Sequence, residues 1–256
     1  MTDQRQELVV DGPAVLDVTT YSGDIVLSDG QEGVLTVRVS GNGADRFTIE
    51  QRGNVVAVAP DGDGRGLGRR TSAGVTAEVP RRTEVELRSS SGNVIVQTTV
   101  GSAKIQVASG DVKMRQTTGD VSVKSASGDL YLGSIGGALR AQSASGDVRA
   151  DDVGGDCMAL VASGDIFIGS VAGRIDVKTA SGDATFRDVQ GDDFVAKTLS
   201  GNVRIGVPGR RIVEVDLHAL SGSIKSNLTE RDSGAADKTL TITVNTVSGD
   251  VYLLDA

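Results

Sequence analysis

Residues 127–144 read Ser-Gly-Asp-Leu-Tyr-Leu-Gly-Ser-Ile-Gly-Gly-Ala-Leu-Arg-Ala-Gln-Ser-Ala, and residues 145–162 read Ser-Gly-Asp-Val-Arg-Ala-Asp-Asp-Val-Gly-Gly-Asp-Cys-Met-Ala-Leu-Val-Ala. The two copies align without a gap. Outward from them a glycine recurs every nine residues from Gly92 to Gly191. Alternate members sit in Ser-Gly-Asp or Ser-Gly-Asn, at Ser91, Ser109, Ser127, Ser145, Ser163 and Ser181, so the unit is 18 residues with two similar halves. The motif continues at Ser200, Ser221 and Ser248 with spacings of 19, 21 and 27, and an earlier copy starts at Ser22. A fixed period of this kind marks a repeat architecture.

Within each unit apolar residues alternate, the period of a strand with one buried face. After the Ser-Gly-Asp glycine the inward columns run Val94, Val112, Leu130, Val148, Ile166 and Val96, Met114, Leu132, Ala150, Ile168. After the second glycine they run Ala103, Val121, Leu139, Cys157, Ile175 and Ile105, Val123, Ala141, Ala159, Val177. The column Ala108, Ala126, Ala144, Ala162, Ala180 reads as a tight inward edge that admits only a methyl group. Each unit is then two short strands and two turns, and it buries its apolar face only by stacking on copies at ~4.8 Å. The predicted fold is all-β, a right-handed parallel β-solenoid (β-helix) of 18-residue two-strand coils with irregular capping coils at both ends. One domain, 1–256, is expected: irregular N-terminal coils in 1–90, regular repeats in 91–200 and irregular C-terminal coils in 201–256. Residues 61–73 and 226–238 read as loops.

Composition narrows the function. The chain has 34 Gly, 4 Pro, 3% aromatics and no Trp, so it lacks the rings that a glycan site stacks on. A net charge of −8 argues against nucleic acid and anionic membrane as partners. A single cysteine, Cys157, excludes an internal disulfide, and its inward column makes it buried filler. One histidine, His218, excludes a two-histidine metal site. With neither an apolar leader in the first residues nor a run long enough to span a bilayer, the expected location is cytoplasmic, or envelope-associated through a partner. The glycine-rich stretch 61–68 lacks the lysine of a phosphate-binding loop and the acidic positions of an EF-hand.

The Ser-Gly-Asp-Val repeats, the strand-rich start ending in Val75-Thr-Ala-Glu-Val-Pro80, and the terminal Val247-Ser-Gly-Asp-Val-Tyr252 resemble a bacterial domain-of-unknown-function family labelled "putative adhesin". That family is related to the toast-rack domains of envelope-stress proteins. The resemblance covers nearly the whole chain. It implies a non-enzymatic scaffold, sensor or binding module near the cell envelope, and it carries over no catalytic residue.

No catalytic, cofactor or metal residue is therefore assigned. The column Asp111, Asp129, Asp147, Asp165, Asp183, with Asn93 and Asn202, is expected to cap turn amides, because Asn supplies the same oxygen without the charge. A calcium ladder, and with it a calcium-binding adhesin, is one alternative; a glycan-active β-helix enzyme is the other. Two surface features invite a partner. Tyr131 and Phe167 fall in one outward column around Arg149, as a small sugar or peptide platform would. Met158 and Leu160 occupy outward positions that elsewhere hold Lys104, Arg140 and Asp176, so a loop or a partner subunit, such as a side-by-side homodimer, is expected to cover them.

Overall fold

The structure is a computed structural model describing residues 2–61, 72–209, 211–228 and 238–256. Alternating Val, Ile, Leu and Thr favour a pleated, half-buried surface, and the described residues form 25 strands with one 3-10 turn at Ala44–Arg46. The chain is an all-β solenoid, as its period predicts. It divides into two compact units, Met1–Leu132 and Gly133–Ala256.

The first unit contains β1 (Thr2–Val9), β2 (Val15–Ser22), β3 (Ile25–Asp29), β4 (Val34–Asn42), β5 (Phe47–Arg52), β6 (Val55–Pro60) and β7 (Ser72–Val79). It continues with β8 (Glu84–Ser91), β9 (Val94–Val100), β10 (Ala103–Ser109), β11 (Val112–Thr117) and β12 (Val121–Ser127); β13 (Leu130–Ile135) spans the division. One sheet runs β1-β4-β7-β3-β9-β11 and the other β5-β6-β2-β8-β10-β12. The repeats pair in parallel at an offset of 18, for example Ile105 with Val123. Within the predicted irregular N-terminal coils, β2 pairs in parallel with β6 and β8, and β3 with β7 and β9, while three antiparallel pairings are added to them: β1 on β4, β4 on β7 and β5 on β6.

The second unit contains β14 (Leu139–Ser145), β15 (Val148–Val153), β16 (Cys157–Ser163), β17 (Ile166–Val171), β18 (Ile175–Ser181) and β19 (Ala184–Val189). Then come β20 (Asp193–Ser200), β21 (Val203–Val207), β22 (Arg211–Ser221), β23 (Ile224–Ser226), β24 (Lys238–Ser248) and β25 (Val251–Asp255). Its sheets run β15-β17-β19-β21-β25-β23 and β14-β16-β18-β20-β24-β22. Spatial order therefore departs from chain order. The spacings of 21 and 27 do not mark simple insertions in successive coils: β24 and β25 pair with β20 and β21, leaving β22 and β23 outside them. The strand that takes the inner place has the better core face, Leu240, Ile242 and Val244, all fully buried.

Every Ser-Gly-Asp glycine holds a positive φ, 136° at Gly164 for example. A Cβ there would lie 2.3 Å from the carbonyl oxygen of Gly146 in the coil below, so the turn needs glycine for its backbone and for its stacking.

The alanine column corrects the expectation above. Ala108, Ala126, Ala144, Ala162 and Ala180 are exposed, and the buried column lies one residue earlier, at Val107, Ser125, Ser143, Val161 and Thr179. Strand parity from Ala103 and Ile105 decides the face, and side-chain size does not. This buried column brings hydroxyls inside. Those of Ser125, Ser143, Thr179, Thr198 and Thr246 are buried without a hydrogen-bond partner. First-sheet strands of the second unit also carry a bend. Residues 151–152, 169–170 and 187–188 are consecutive outward pairs before a third inward column of Val153, Val171 and Val189.

The loops read at 61–73 and 226–238 lie mostly outside the described residues; Ser72 and Ala73 begin β7, Ser226 ends β23 and Lys238 opens β24.

Candidate functional site

The aspartate column caps backbone amides, and the amide belongs to the next coil. Asp24 Oδ1 accepts the Asn93 N–H at 2.8 Å, Asn93 Oδ1 that of Asp111 at 2.9 Å and Asp111 Oδ1 that of Asp129 at 3.0 Å. In the second unit Asp147, Asp165 and Asp183 hold Asp165, Asp183 and Asn202 in the same way at 2.8–2.9 Å. Asn202 then takes Asp250, and Asp250 takes Ser223. Among the described residues no group of three or more His, Cys, Asp or Glu is placed to hold a metal ion.

At Asp129, Asp147, Asp183 and Asp250 the second carboxylate oxygen meets the outward column. Tyr131 donates its hydroxyl to Asp129 Oδ2 at 3.1 Å, with Lys113 5.6 Å from its ring centre. Arg149 donates to Asp147 Oδ2 at 3.1 Å and Arg204 to Asp183 Oδ2 at 2.7 Å. Tyr252 repeats the Tyr131 arrangement, donating to Asp250 Oδ2 at 3.0 Å, between Arg204 at 5.2 Å and Lys225 at 5.1 Å. The ladder thus stacks carboxylates at a coil spacing with amide bonds along it and hydroxyl or guanidinium and ammonium partners at Asp129, Asp147, Asp183 and Asp250. The Lys225 ammonium, the Ser223 amide and the Tyr252 hydroxyl pull the Asp250 carboxyl down to about 2, and Asp250 in turn raises Lys225. Burial works against ionisation of Asp183, but bonds from Arg204 and Asn202 outweigh it and hold the carboxyl below its usual range.

Beside this column the bend opens a groove of about 740 Å³ on the outer face of the second unit's first sheet. Phe167, Asp152, Arg187, Asp188 and Arg204 line it. Gly169 and Gly206 also line it, and neither has room for a Cβ, which would strike the carbonyl oxygen of Asp151 or Arg187 in the neighbouring coil. Ser170 donates to Asp152 at 2.7 Å. Asp188 Oδ2 accepts from Gln190 Nε2 at 2.8 Å, while its Oδ1 is buried with no hydrogen-bond partner.

The structure places Phe167 in the groove. Arg149 lies on β15 and Tyr131 in the first unit. Met158 and Leu160 are exposed by 39% and 47% on the outer face of β16, between Arg140 and Gln142 on one side and Asp176 and Lys178 on the other. Cys157 is buried, and that burial pushes its thiol up to about 12. Sequence reasoning missed Tyr252, Lys225 and Asp188. Tyr252 follows Gly249 at the offset at which Tyr131 follows Gly128, but Asp188 gives no such signal, since its place depends on the bend.

A family model described as Toastrack DUF4097 matches residues 14–254. No curated protein matches the chain. Among solved structures, a putative adhesin from Bacteroides fragilis is 11% identical with a TM-score of 0.50, covering 99% of this chain and 97% of that one. A putative lipid binding protein from Parabacteroides distasonis is 17% identical with a TM-score of 0.43, covering 97% and 96%. A putative adhesin from the same species is 12% identical with a TM-score of 0.40, covering 99% and 97%.

Proposed function

The chain belongs to the Toastrack DUF4097 family, and on that premise we propose that it is a non-enzymatic binding module, serving as a scaffold or sensor in an envelope-linked or stress process of the bacterial cell. The groove on the second unit carries this reading. It offers an aromatic ring at Phe167 and two cations, Arg187 and Arg204, the second held in place by Asp183. Among the described residues the titratable groups with displaced values move away from neutrality: Asp3, Glu86, Asp183 and Asp250 down, Arg38 and Lys225 up, and Cys157 up to about 12. Acid–base catalysis needs the opposite displacement. We place the protein in the cytoplasm, attached to the envelope through the partner that the groove binds; cell fractionation tests that placement.

A photo-crosslinking residue installed at Phe167, and in a second strain at Lys104 on the other sheet, tests the groove in living cells. The expected result is an adduct specific to position 167 that disappears with Arg204→Ala. Identical adducts from both positions would discard the groove.

A further inference from the structure

Among the described residues, the core is open at one edge of the second unit. The inward column Leu240, Ile242, Val244 of β24 continues onto β22 as Val213, Val215 and Leu217, yet Val215 is 43% exposed. On the other sheet the buried Val251 continues as Ile224, which is 50% exposed. Among the described residues both β22 and β23 are edge strands, so no described strand takes up the amides and carbonyls on their far side. Residues 229–237, outside the described residues, contain two alanines and four charged side chains and are poor in the large apolar groups such a face takes.

We infer that the edge formed by β22 and β23 is the docking surface for a second copy of this chain, joined edge to edge across a two-fold axis. Antiparallel pairing centred on Leu217 sets it against the partner's Leu217 and sets Val215 against the partner's Ala219. The same register puts Asp216 opposite the partner's His218, and the two residues already approach to 3.0 Å within one strand. Registers centred on Val215 or Asp216 instead oppose acid to acid. A head-to-tail partner would bring β1, whose Gln4 and Gln6 lie over the core column of Val37 and Val39, and would leave the chain free to extend as a filament; an isologous contact closes.

Sedimentation of the full chain is expected to give a dimer. Residues opposed in an antiparallel pair have Cα atoms about 4.5–5.5 Å apart, within disulfide range. Leu217→Cys should therefore give an interchain disulfide on oxidation, and Arg5→Cys should not. Asp216→Lys and His218→Asp should each sediment as monomers, and their equimolar mixture should restore the dimer, which misfolded variants could not do. A wild-type chain that remains monomeric at every accessible concentration overturns the inference, including where a peptide strand occupies the edge of the monomer. So does a dimer that survives all of these changes and dissociates only on joint Met158→Lys and Leu160→Lys substitution.

Discussion

In the first unit β1 runs antiparallel on β4 and lays Gln4 and Gln6 over Val39 and Val37, with Arg38 paired to Asp3 on the outer side. β5 finishes the other sheet with Thr48, Glu50 and Arg52 outward, and Gln51 donates to the Val9 carbonyl at 2.7 Å. The edge of the second unit also carries charged residues outward, Glu214, Asp216 and His218, but it lacks the polar inner column of β1, because Val213, Val215 and Leu217 of β22 keep the core sequence to the last described strand. Natural sheets blunt free edges with polar and charged side chains. An edge that keeps its apolar column is one that pairing has to cover, and one set of repeats has been ended in both ways.

Between the edges both units share the glycine column, and breaking it is expected to have the largest effect. Gly164→Ala combines a φ of 136° with a Cβ 2.3 Å from a backbone oxygen, and should cost about 3 kcal/mol or more. Gly53→Ala, in the β5–β6 hairpin, meets nothing within 4 Å at a φ of 61° and should cost only ~1 kcal/mol. Urea unfolding of the two variants checks the ratio; equal losses would mean that stacking contributes nothing to the glycine requirement.

Transferring the finish of one edge to the other is next. Val215→Gln with Leu217→Gln gives β22 the polar column of β1, and is expected to halve the sedimenting mass with little change in melting temperature. Gln4→Val with Gln6→Val should do the reverse and make the first unit's edge associate. If neither exchange alters the association state, the chemistry of the edges is not what separates them.

The repeat, its columns and the capping aspartates were legible in the sequence because each depends on local period and turn chemistry. The inner place of β24 was not, since a Ser-Gly-Asp at Ser248 shows that a coil exists and leaves open which coil it lies beside. The groove was half legible: Phe167 stood in an outward column, whereas Asp188 joins it through the bend at 187–188. The alanine column was misjudged because a methyl looks small enough to be buried, while Val107 and Val161 kept the parity. That correction yields a stabilising prediction. Thr179→Val replaces an unpartnered buried hydroxyl with the residue found in the same column at Val161, and should raise stability by ~1 kcal/mol in the same urea titration.

Acid should loosen the second unit's edge. The folded-state value of Asp250 lies below its usual 3.8, at about 2, so its contribution is present above that usual value and is lost as pH falls through the lower one. The Ser223 amide, which donates to Asp250 at 2.8 Å, should shift across this window in NMR spectra. Asp250→Asn should remove the step while keeping the bond, as Asn93 and Asn202 already do. A Ser223 amide unmoved across the window would show that β23 is held by its strand pairing alone.

The smallest effect is expected at Ala162. Its column faces solvent along the second sheet and grows toward the open edge as Leu199, Val247 and Leu220, exposed by 60%, 45% and 84%. In the first unit the same column passes from Ala108 through Ser90 to Tyr21. Large side chains are thus already carried there on both units without strain. Ala162→Leu adds a third large apolar group to a strand that exposes Met158 and Leu160, and should change stability by no more than ~0.5 kcal/mol. It should not alter the sedimenting mass, since the stripe lies on the face of the sheet, away from the edge atoms that would pair. A loss of several kcal/mol would put the column inside the solenoid and return the register to the one that residue size suggests; a gain in mass would move the docking surface from the edge to the face.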